Sequence, residues 1–367
     1  MFSAADHEFM AHALRLAERG LYTTTPNPRV GCVIVKDGMV VGEGWHVRAG
    51  EAHAEPLALS AAGEAARGAT AYVSLEPCSH QGRTPPCAEA LVAAGVTRVV
   101  AAMRDPNPLV AGQGLAMLQA AGISTECGLL ESEARALNLG FVSRMTRGRP
   151  WVRLKLAASL DGKTALANGA SQWITSAAAR LDGHSWRARA CAILTGSGTV
   201  RDDDPQLNVR EVDTPRQPLK VVVDSQLELP STARLLHGGK VLVATASDNL
   251  DKVQALRLLG AEVAVLPDAR GKVDLAALMA NLAQRGVNEL HVEGGAGLNG
   301  ALLAAGLVDE LVIYLAPCLL GSQARGMFDL PALESLQERH VLVIGDLRQI
   351  GADWRVVARV EASGAGA

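Results

Sequence analysis

Residues 75–87 read Leu-Glu-Pro-Cys-Ser-His-Gln-Gly-Arg-Thr-Pro-Pro-Cys, a polar loop that follows the apolar, strand-like run Thr70–Leu75. The triplet His53-Ala54-Glu55 stands upstream, at the start of a predicted helix. Because this loop is polar, its cysteines Cys78 and Cys87 cannot be part of a hydrophobic core. They differ in this from the other cysteines. Those others lie in or beside apolar runs and are predicted to be small buried hydrophobes: Cys32, Cys127, Cys191 and Cys318. Six cysteines in 367 residues are also too sparse for a disulfide framework.

An imidazole and two thiolates, from His53, Cys78 and Cys87, form a typical zinc ligand set, and a catalytic zinc keeps its fourth position for water. The ion lowers the pKa of that water to about 7, so that hydroxide is available at neutral pH. Glu55 can take the proton of the water and pass it to a leaving amine. Cys87 opens a predicted helix after Pro85-Pro86, and a helix N-terminus favours the thiolate.

This pattern follows the H-x-E and P-C-x-x-C logic of the zinc deaminases, except that eight residues separate the two cysteines instead of two. A loop of that length can still bring both sulfurs to one metal. Two alternatives stay open at this point. One is a closed structural zinc site with His80 as the fourth ligand, which leaves Glu55 without a role, and the other is a pair of free reactive thiols.

Strand and helix patterns alternate through the first 145 residues, which predicts an α/β fold with helices covering a mixed sheet. The basic segment Arg144–Pro150 contains Gly148 and Pro150, and we place the domain boundary there, giving domains 1–147 and 148–367. A second α/β set follows, from a predicted strand at Trp151–Ser159 to a predicted strand at 353–361. A chain of this length is expected to form two domains.

Composition excludes several classes of protein. The formal charge is −3 and aromatic residues make up only 3%, so the chain lacks the basic surface and the stacking residues of a nucleic-acid binder. No run of eighteen apolar residues occurs, and the first twenty residues have the charge pattern of an amphipathic helix, not of a signal peptide. We therefore expect a cytoplasmic protein with no nucleic-acid or membrane partner.

The second half carries polar, glycine-rich stretches at the ends of predicted strands: Lys155–Lys163, Ser171–Ser176, Thr195–Arg210 and Glu293–Gly300. In the last of these a strand runs into a glycine-rich turn and a helix, where backbone N–H groups can approach a phosphate. Tight packing is the simpler interpretation of such a turn. The turn also lacks the G-x-G-x-x-G fingerprint, so no Rossmann domain is predicted.

Four motifs together closely resemble the bifunctional deaminase/reductase family of riboflavin biosynthesis: Thr25–Val35, His53–Glu55, Leu75–Cys87 and Asp105–Pro108. The longer cysteine spacing, with Ser-His inside the loop, is that family's own variant. The resemblance implies an N-terminal cytidine-deaminase-like zinc domain fused to a C-terminal dihydrofolate-reductase-like α/β domain. It also implies two consecutive reactions. Zinc-hydroxide deamination converts 2,5-diamino-6-(5-phosphoribosylamino)pyrimidin-4(3H)-one to 5-amino-6-(5-phosphoribosylamino)uracil, and NADPH then reduces the ribosyl group to ribityl.

For the deaminase, the resemblance makes His53, Cys78 and Cys87 the ligands of one Zn²⁺ and Glu55 the catalytic proton shuttle. It also implies substrate contacts, which read from the residues alone as turn residues or solvated loop charges: Asn27, His80, Arg83, Asp105 and Asn107.

For the reductase, the resemblance implies contacts with NADPH from Ala157, Trp173, Thr199, Asp203, Ser225 and the turn Gly295-Ala296-Gly297-Leu298-Asn299-Gly300. It implies substrate contacts from Ser171, Arg187, Leu207, Arg210 and Glu293, with the arginines suited to a phosphate. Lys155 and Glu293 are the ionisable candidates for catalysis near the reacting sugar carbon. The cofactor carries the hydride, so the protein supplies placement and electrostatics.

The partner implied by the resemblance is a small phosphoribosyl pyrimidine, and the chain is expected to be a homo-oligomer, a dimer or tetramer assembled through the reductase domain. The main alternative function is a zinc-dependent nucleoside or tRNA base deaminase with a second domain that is not a reductase. A non-catalytic, metal-stabilised scaffold is a second alternative, against which the presence of Glu55 argues.

Overall fold

The computed structural model describes residues 1–79, 85–108 and 110–361. The chain divides into two compact units, Met1–Gly148 and Arg149–Ala367. Within the described ranges, none of the helices has both the length and the apolar character needed to cross a bilayer.

The first unit alternates helices with short strands. In chain order its elements are α1 Ala4–Glu18, β1 Gly31–Lys36, β2 Met39–Trp45, α2 Ala54–Ala62, β3 Thr70–Val73, α3 Cys87–Ala93, β4 Arg98–Ala101, α4 Gln113–Ala120, β5 Ser124–Cys127, α5 Glu131–Leu137 and α6 Leu139–Arg147. The five strands form one sheet in the order β2-β1-β3-β4-β5. Strand β1 is antiparallel to both of its neighbours, whereas β3, β4 and β5 run parallel. The mixed sheet covered by helices that the sequence predicts is confirmed.

Helix α2 rests directly on the backbone of strand β2. A Cβ atom added at Gly42 would lie 2.3 Å from the carbonyl oxygen of Ala58, and one added at Gly44 would lie 2.6 Å from the carbonyl oxygen of Ala54. Such distances are too short for any side chain, so the two glycines set the spacing between strand and helix. Since Ala54 is the first residue of α2, this contact fixes the end of the helix that carries Glu55.

The second unit holds a larger α/β set. Its elements are β6 Trp151–Ser159, β7 Lys163–Ala165, α7 Ala177–Arg189, β8 Ala192–Gly196, α8 Ser197–Asp203, β9 Leu219–Val223, β10 Val241–Thr245, α9 Leu250–Leu258, β11 Glu262–Val265, α10 Leu275–Gln284, β12 Glu289–Val292, α11 Ala296–Ala304, β13 Glu310–Ala316, β14 Arg325–Gly326, β15 Leu342–Ile350 and β16 Asp353–Val360. Nine strands form one sheet in the order β11-β10-β9-β8-β12-β6-β13-β16-β15. All pairs in it are parallel except those that β16 makes with β13 and β15.

The side chains of strand β6, inside the sheet, alternate between an apolar face and a charged face. Val152, Leu154 and Leu156 belong to the main hydrophobic core of this unit. Because side chains alternate along a strand, Arg153 and Lys155 point to the opposite face. Acidic residues accompany them there: Arg153 is fully buried and pairs with Glu289 and Glu310. The candidate catalytic groups therefore lie on the charged face of the sheet.

Two sequence-based expectations need correction. No helix is predicted within Thr195–Arg210, yet Ser197–Asp203 forms helix α8, a short element that tertiary packing supports through buried Val200. Of the four cysteines predicted to be buried, Cys32 is buried and Cys127 and Cys191 are only partly buried. Cys318 is exposed, because it lies in the loop after β13 and not in the strand itself.

Candidate functional site

Three side chains of the first unit converge on one point. The ligand atoms of His53, Cys78 and Cys87 all lie within 4.8 Å of one another. His53 is the N-cap residue of α2, Cys78 follows β3 by five residues, and Cys87 is the first residue of α3. The ring of His53 makes no capping hydrogen bond and instead places Nδ1 3.3 Å from the Cys87 sulfur and 3.7 Å from the Cys78 sulfur. One imidazole nitrogen and two sulfurs at this spacing fit a zinc ion.

The two thiols differ in acidity. The backbone N–H of Cys87 donates to the Cys78 sulfur at 3.3 Å. Hydrogen bonds from the Cys87 side chain, from His53 and from this N–H lower the pKa of Cys78, whereas the neighbouring Cys78 sulfur and burial raise the pKa of Cys87. The sequence predicts that the N-terminus of the helix favours the Cys87 thiolate. The backbone N–H of Cys87 at that terminus points at the Cys78 sulfur and not at its own side chain.

Glu55 lies beside the cluster in the first turn of α2 and is only 3% exposed. Burial raises its pKa to about 7. Its Oε2 atom has no hydrogen-bond partner within the described part of the chain, which is unusual for a buried carboxyl oxygen. A carboxyl group of this kind can hold or release a proton near neutral pH.

A second histidine, which the sequence analysis did not single out, links Asn27 to the cluster. His46 Nε2 lies 3.1 Å from Asn27 Nδ2, and its Nδ1 lies 3.0 Å from the carbonyl oxygen of Ala52. With Nδ1 protonated, Nε2 accepts from the Asn27 amide, so the amide oxygen of Asn27 faces away from His46. The His46 ring also stacks edge-on against the His53 ring, 5.3 Å between centroids. His46 belongs to no recognisable sequence motif. It is simply the residue after strand β2.

The remaining predicted deaminase contacts divide into two groups. Asp105 and Asn107 follow strand β4, and the Asn107 N–H donates to Asp105 Oδ1 at 2.8 Å. The Asp105 backbone N–H in turn donates to Glu76 Oε2 at 3.1 Å, which ties this loop to the residue two before Cys78. His80 and Arg83 lie outside the described residues, so their predicted roles remain predictions.

In the second unit, Arg187 and Glu293 form a bidentate ion pair. Arg187 on α7 donates through Nε and Nη2 to the two carboxylate oxygens of Glu293, at 2.5 and 2.7 Å. The pair is largely buried, and the Arg187 charge holds the pKa of Glu293 well below its usual range against the opposing effect of burial. Arg187 is therefore not an exposed charge, although it lies on a helix rich in polar residues.

Lys155 projects from β6 toward this pair. Burial lowers its pKa, and the Arg187 charge adds to the effect while Glu293 opposes it. The Lys155 ammonium also lies 5.8 Å from the centroid of the Tyr314 ring. A lysine with a lowered pKa among groups of both signs is a candidate for proton transfer.

The segment after α8 brings further predicted substrate residues to the same region. The Arg210 backbone N–H donates to His184 Nδ1 at 3.4 Å, and its side chain donates to Asn208. Burial, together with the charges of Arg187 and Arg210, lowers the pKa of His184 to about 4. Leu207 is buried with a positive φ of 48°, so its backbone is held in an uncommon conformation. His184 was missed at the sequence level because it is one polar residue on a polar helix.

The glycine-rich turn after β12 has free space beside Gly297 and a close backbone contact at Gly300. Gly295 caps helix α11 without a side-chain hydrogen bond, and a Cβ added at Gly297 would meet nothing within 4 Å. A Cβ added at Gly300 would instead lie 1.9 Å from the carbonyl oxygen of Asp329. Asn299 donates to the carbonyl oxygens of Gly294 and Met327, and its own Oδ1 is buried without a partner in the described ranges. The first turn of α11 therefore suits an anionic group, whereas Gly300 serves packing.

Three other predicted reductase residues lie at or beyond the start of helix α8 or in the segment before α7: Thr199, Asp203 and Trp173. Thr199 Oγ1 is 3.7 Å from the Cβ position of Gly295. Burial and the charge of Asp202 raise the pKa of Asp203, while the neighbouring Ser171 and Gln172 side chains have the opposite effect. Trp173 is 69% exposed, with the Arg180 guanidinium 4.4 Å from its ring centroid, so it is not a core residue.

Two further predicted cofactor contacts are Ala157, which lies in strand β6, and Ser225, which follows strand β9. Ala157 pairs with Tyr314 across β6 and β13. The Ser225 hydroxyl accepts from the Val273 N–H at 3.2 Å, so part of its hydrogen-bonding capacity serves the fold. Their contact with a cofactor remains a prediction.

Comparison with known proteins matches both units. The family of the cytidine and deoxycytidylate deaminase zinc-binding region matches residues 3–103, and the RibD C-terminal domain matches residues 150–349. The riboflavin biosynthesis protein RibD of Escherichia coli K12 is 52% identical over 362 residues, covering 95% of this chain and 97% of its own.

Solved structures agree along the whole chain. RibD of Acinetobacter baumannii, form 1, is 45% identical with a TM-score of 0.91, covering 98% of this chain and 99% of its own. A Thermotoga maritima diaminohydroxyphosphoribosylaminopyrimidine deaminase/5-amino-6-(5-phosphoribosylamino)uracil reductase is 32% identical with a TM-score of 0.86, covering 97% and 99%. The zinc-type cluster, the charged face of the second sheet and these matches lead to one conclusion: the chain belongs to the RibD family of riboflavin biosynthesis proteins.

Proposed function

We propose that the chain catalyses two consecutive reactions of riboflavin biosynthesis. The first unit deaminates 2,5-diamino-6-(5-phosphoribosylamino)pyrimidin-4(3H)-one to 5-amino-6-(5-phosphoribosylamino)uracil, and the second unit reduces the ribosyl group to ribityl. Zn²⁺ is the cofactor of the first unit and NADPH that of the second. The observation that carries the proposal is the convergence of His53, Cys78 and Cys87 beside a buried glutamate.

In the deaminase, His53, Cys78 and Cys87 would hold the zinc ion, which when bound would supply the Lewis acid that makes water a nucleophile at neutral pH. Hydrolysis requires one proton to leave the attacking water and one to reach the departing amino group. Glu55 performs both transfers, because its carboxyl has a pKa of about 7 and a buried oxygen with no competing partner in the described part of the chain. Asn27, oriented by His46, holds the pyrimidine.

In the reductase, the N–H groups of the first turn of α11 would hold an anionic group of NADPH. The bound cofactor would supply the hydride that reduces the opened form of the ribosyl group. Lys155 delivers the proton that the sugar oxygen needs, and the Arg187–Glu293 pair keeps the local charge balanced around it. Arg210, whose side chain is exposed, contacts the substrate phosphate.

The alternative of a nucleic-acid base deaminase with an unrelated second domain loses its basis, because the RibD C-terminal domain matches residues 150–349. The cytoplasmic location stays a prediction.

Variants at Glu55 test the two-site proposal. The full chain carrying Glu55→Gln should release no ammonia from the diaminopyrimidine substrate, yet it should oxidise NADPH at the wild-type rate with the deaminated substrate. Glu64→Gln, an exposed carboxylate nearby, is the matched control and should retain both activities. Dialysis against a chelator should remove zinc and ammonia release together, and added zinc should restore both. If Glu55→Gln loses both activities while it stays folded, or if the metal-free protein deaminates, the proposal is wrong.

We further propose that the chain forms a homo-oligomer through the reductase unit. Strand β15 is an edge strand whose apolar side chains lie in solvent: Leu342, Val343, Ile344 and Leu347 are 40–61% exposed. A long apolar edge strand invites pairing unless it is covered, and a second copy of the chain is always available to cover it. Light scattering should give a dimer or tetramer, and Ile344→Lys should shift it toward the monomer. A monomeric wild type would contradict this assembly.

A further inference from the structure

Glu76 carries a buried carboxylate that accepts four backbone N–H groups. It is 3% exposed. Its Oε2 accepts from Asp105 at 3.1 Å and from Gly112 at 2.9 Å, and its Oε1 accepts from Gly114 at 3.0 Å and from Leu115 at 3.2 Å. A carboxylate has about four acceptor positions, so all of them are in use.

All four donors belong to one stretch of chain, which leads from strand β4 into helix α4. This stretch begins at Asp105, and Asn107 folds back onto the Asp105 side chain. At its other end Gly114 lies flat on the chain beside Glu76, since a Cβ there would come within 1.9 Å of the carbonyl oxygen of Pro77. Glu76 and Pro77 directly precede Cys78, and the Glu76 N–H donates to the carbonyl oxygen of Met103, two residues after the end of β4.

This arrangement excludes two other roles for Glu76. A carboxylate whose four acceptor positions are filled has none left to bind a metal or to take a proton from substrate. A charge that only filled space would be costly in such a buried position, because burial of a carboxylate is tolerated only when hydrogen bonds compensate for the lost water. What the four bonds do accomplish is to join two segments far apart in sequence.

We propose that Glu76 is a positioning residue for deamination, which fixes Asp105 and Asn107 relative to the metal ligand Cys78. The proposal rests on the deaminase function stated above. The Glu76 carboxylate thereby fixes the distance between a metal ligand, Cys78, and the two predicted substrate contacts, Asp105 and Asn107. A shift of about 1 Å in such a contact can reduce catalysis on the order of a hundredfold, so the fixed spacing has a direct kinetic value.

Glutamine at position 76 tests the idea with little change of shape. Its amide nitrogen would face two backbone N–H donors, which would lose their acceptor, while the remaining oxygen keeps the other two. The stretch 105–115 should loosen while the zinc ligands stay in place. The expected result for Glu76→Gln in the full chain is a deaminase KM raised at least about tenfold, with a smaller change in kcat and with wild-type zinc content.

Three further readouts distinguish this role from general destabilisation. Amide hydrogen exchange should accelerate at residues 105, 112, 114 and 115. NADPH oxidation with the deaminated substrate should be unchanged. Glu76→Asp keeps both oxygens on a shorter side chain and should lie between wild type and Glu76→Gln in KM, whereas the exposed control Glu64→Gln should match wild type.

The outcomes separate cleanly. A wild-type KM in Glu76→Gln overturns the proposal, as does zinc loss with a normal KM after zinc is restored. If Glu76→Gln does not fold, Glu76→Asp decides in the same way, because a raised KM with full zinc supports positioning and an unchanged KM refutes it. If the wild-type protein itself releases no ammonia, the deaminase function fails and not merely the role of Glu76.

Discussion

Replacing Arg187 by lysine keeps the positive charge and removes the planar fork. Arg187 makes three hydrogen bonds, two to the carboxylate of Glu293 and one, at 3.0 Å, to the carbonyl oxygen of Asn208. Both partners of the ion pair are more than four-fifths buried. A lysine ammonium on a flexible stem can satisfy one of these acceptors at a time with good geometry, so the substitution is not conservative here.

The cost follows from counting the bonds that are lost. Hydrogen bonds to charged groups contribute roughly 1.5–3 kcal/mol each, and two of three are lost while the charge is retained, so we expect a loss of about 3 kcal/mol in the unfolding free energy. For a unit of roughly 200 residues, each kcal/mol changes Tm by about 2–4 °C, which gives a decrease of about 6–12 °C. Reductase activity should fall with it, because Glu293 and Lys155 lose a fixed neighbour.

Calorimetry of the full chain measures this directly. The reductase transition is identified as the one that NADPH shifts upward, since a ligand stabilises only the unit that binds it. Arg270→Lys is the matched control, because Arg270 pairs with Asp268 but is 85% exposed, and exposed pairs contribute about 0–1 kcal/mol. The reasoning is refuted if Arg187→Lys leaves the reductase Tm within about 2 °C of wild type, or if Arg270→Lys lowers it equally.

The other predictions concern acid stability and the cofactor turn. The pKa of His184 is about 4 in the folded protein against 6.5 for a free side chain, so the unfolded chain binds the proton first as the pH falls. His184 costs no stability above pH 6.5, and the folded protein loses stability as the pH falls from 6.5 toward 4. The loss is about 2 kcal/mol at pH 5, and denaturant unfolding of His184→Gln should lack this pH-dependent loss. Gly300→Ala should destabilise the reductase unit by about 1–3 kcal/mol because of the contact with Asp329. Gly297→Ala should leave the fold intact and weaken NADPH binding in a fluorescence titration. If Gly297→Ala and Gly300→Ala changed stability and NADPH affinity equally, the assignment of Gly297 to binding and of Gly300 to packing would be wrong.

Much of the fold can be predicted from the periodicity of apolar residues in the sequence. The alternation of apolar runs and helical patterns predicts both α/β units, and the strand Trp151–Ser159 has the predicted bounds. Helix α8 was not predicted because Ser197–Asp203 contains one glycine and two aspartates, which are poor helix formers, and Val200 is its one buried residue. The two-residue strand Arg325–Gly326 carries no periodic signal at all and exists because it pairs with β7.

The candidate site divides in a similar way. His53, Glu55, Cys78 and Cys87 could be named from chemistry, since few residue types bind zinc and the spacing brings them together. His46 could not, because its importance comes from the direction of one Asn27 hydrogen bond. Side chains whose role depends on a partner distant in sequence, such as Arg187 opposite Glu293, become interpretable only once the sheet places them together.

The bare contact between β2 and α2 limits how this enzyme can be engineered. Substituting alanine for glycine within regular elements is a common route to heat-resistant variants, because it restricts the unfolded chain. At positions 42 and 44 the same change would force the helix outward at the carbonyl oxygens of Ala58 and Ala54, moving the glutamate that follows Ala54. Any thermostabilisation campaign on this scaffold should therefore leave both positions untouched, and a library that randomises them should show ammonia release declining before the melting temperature does.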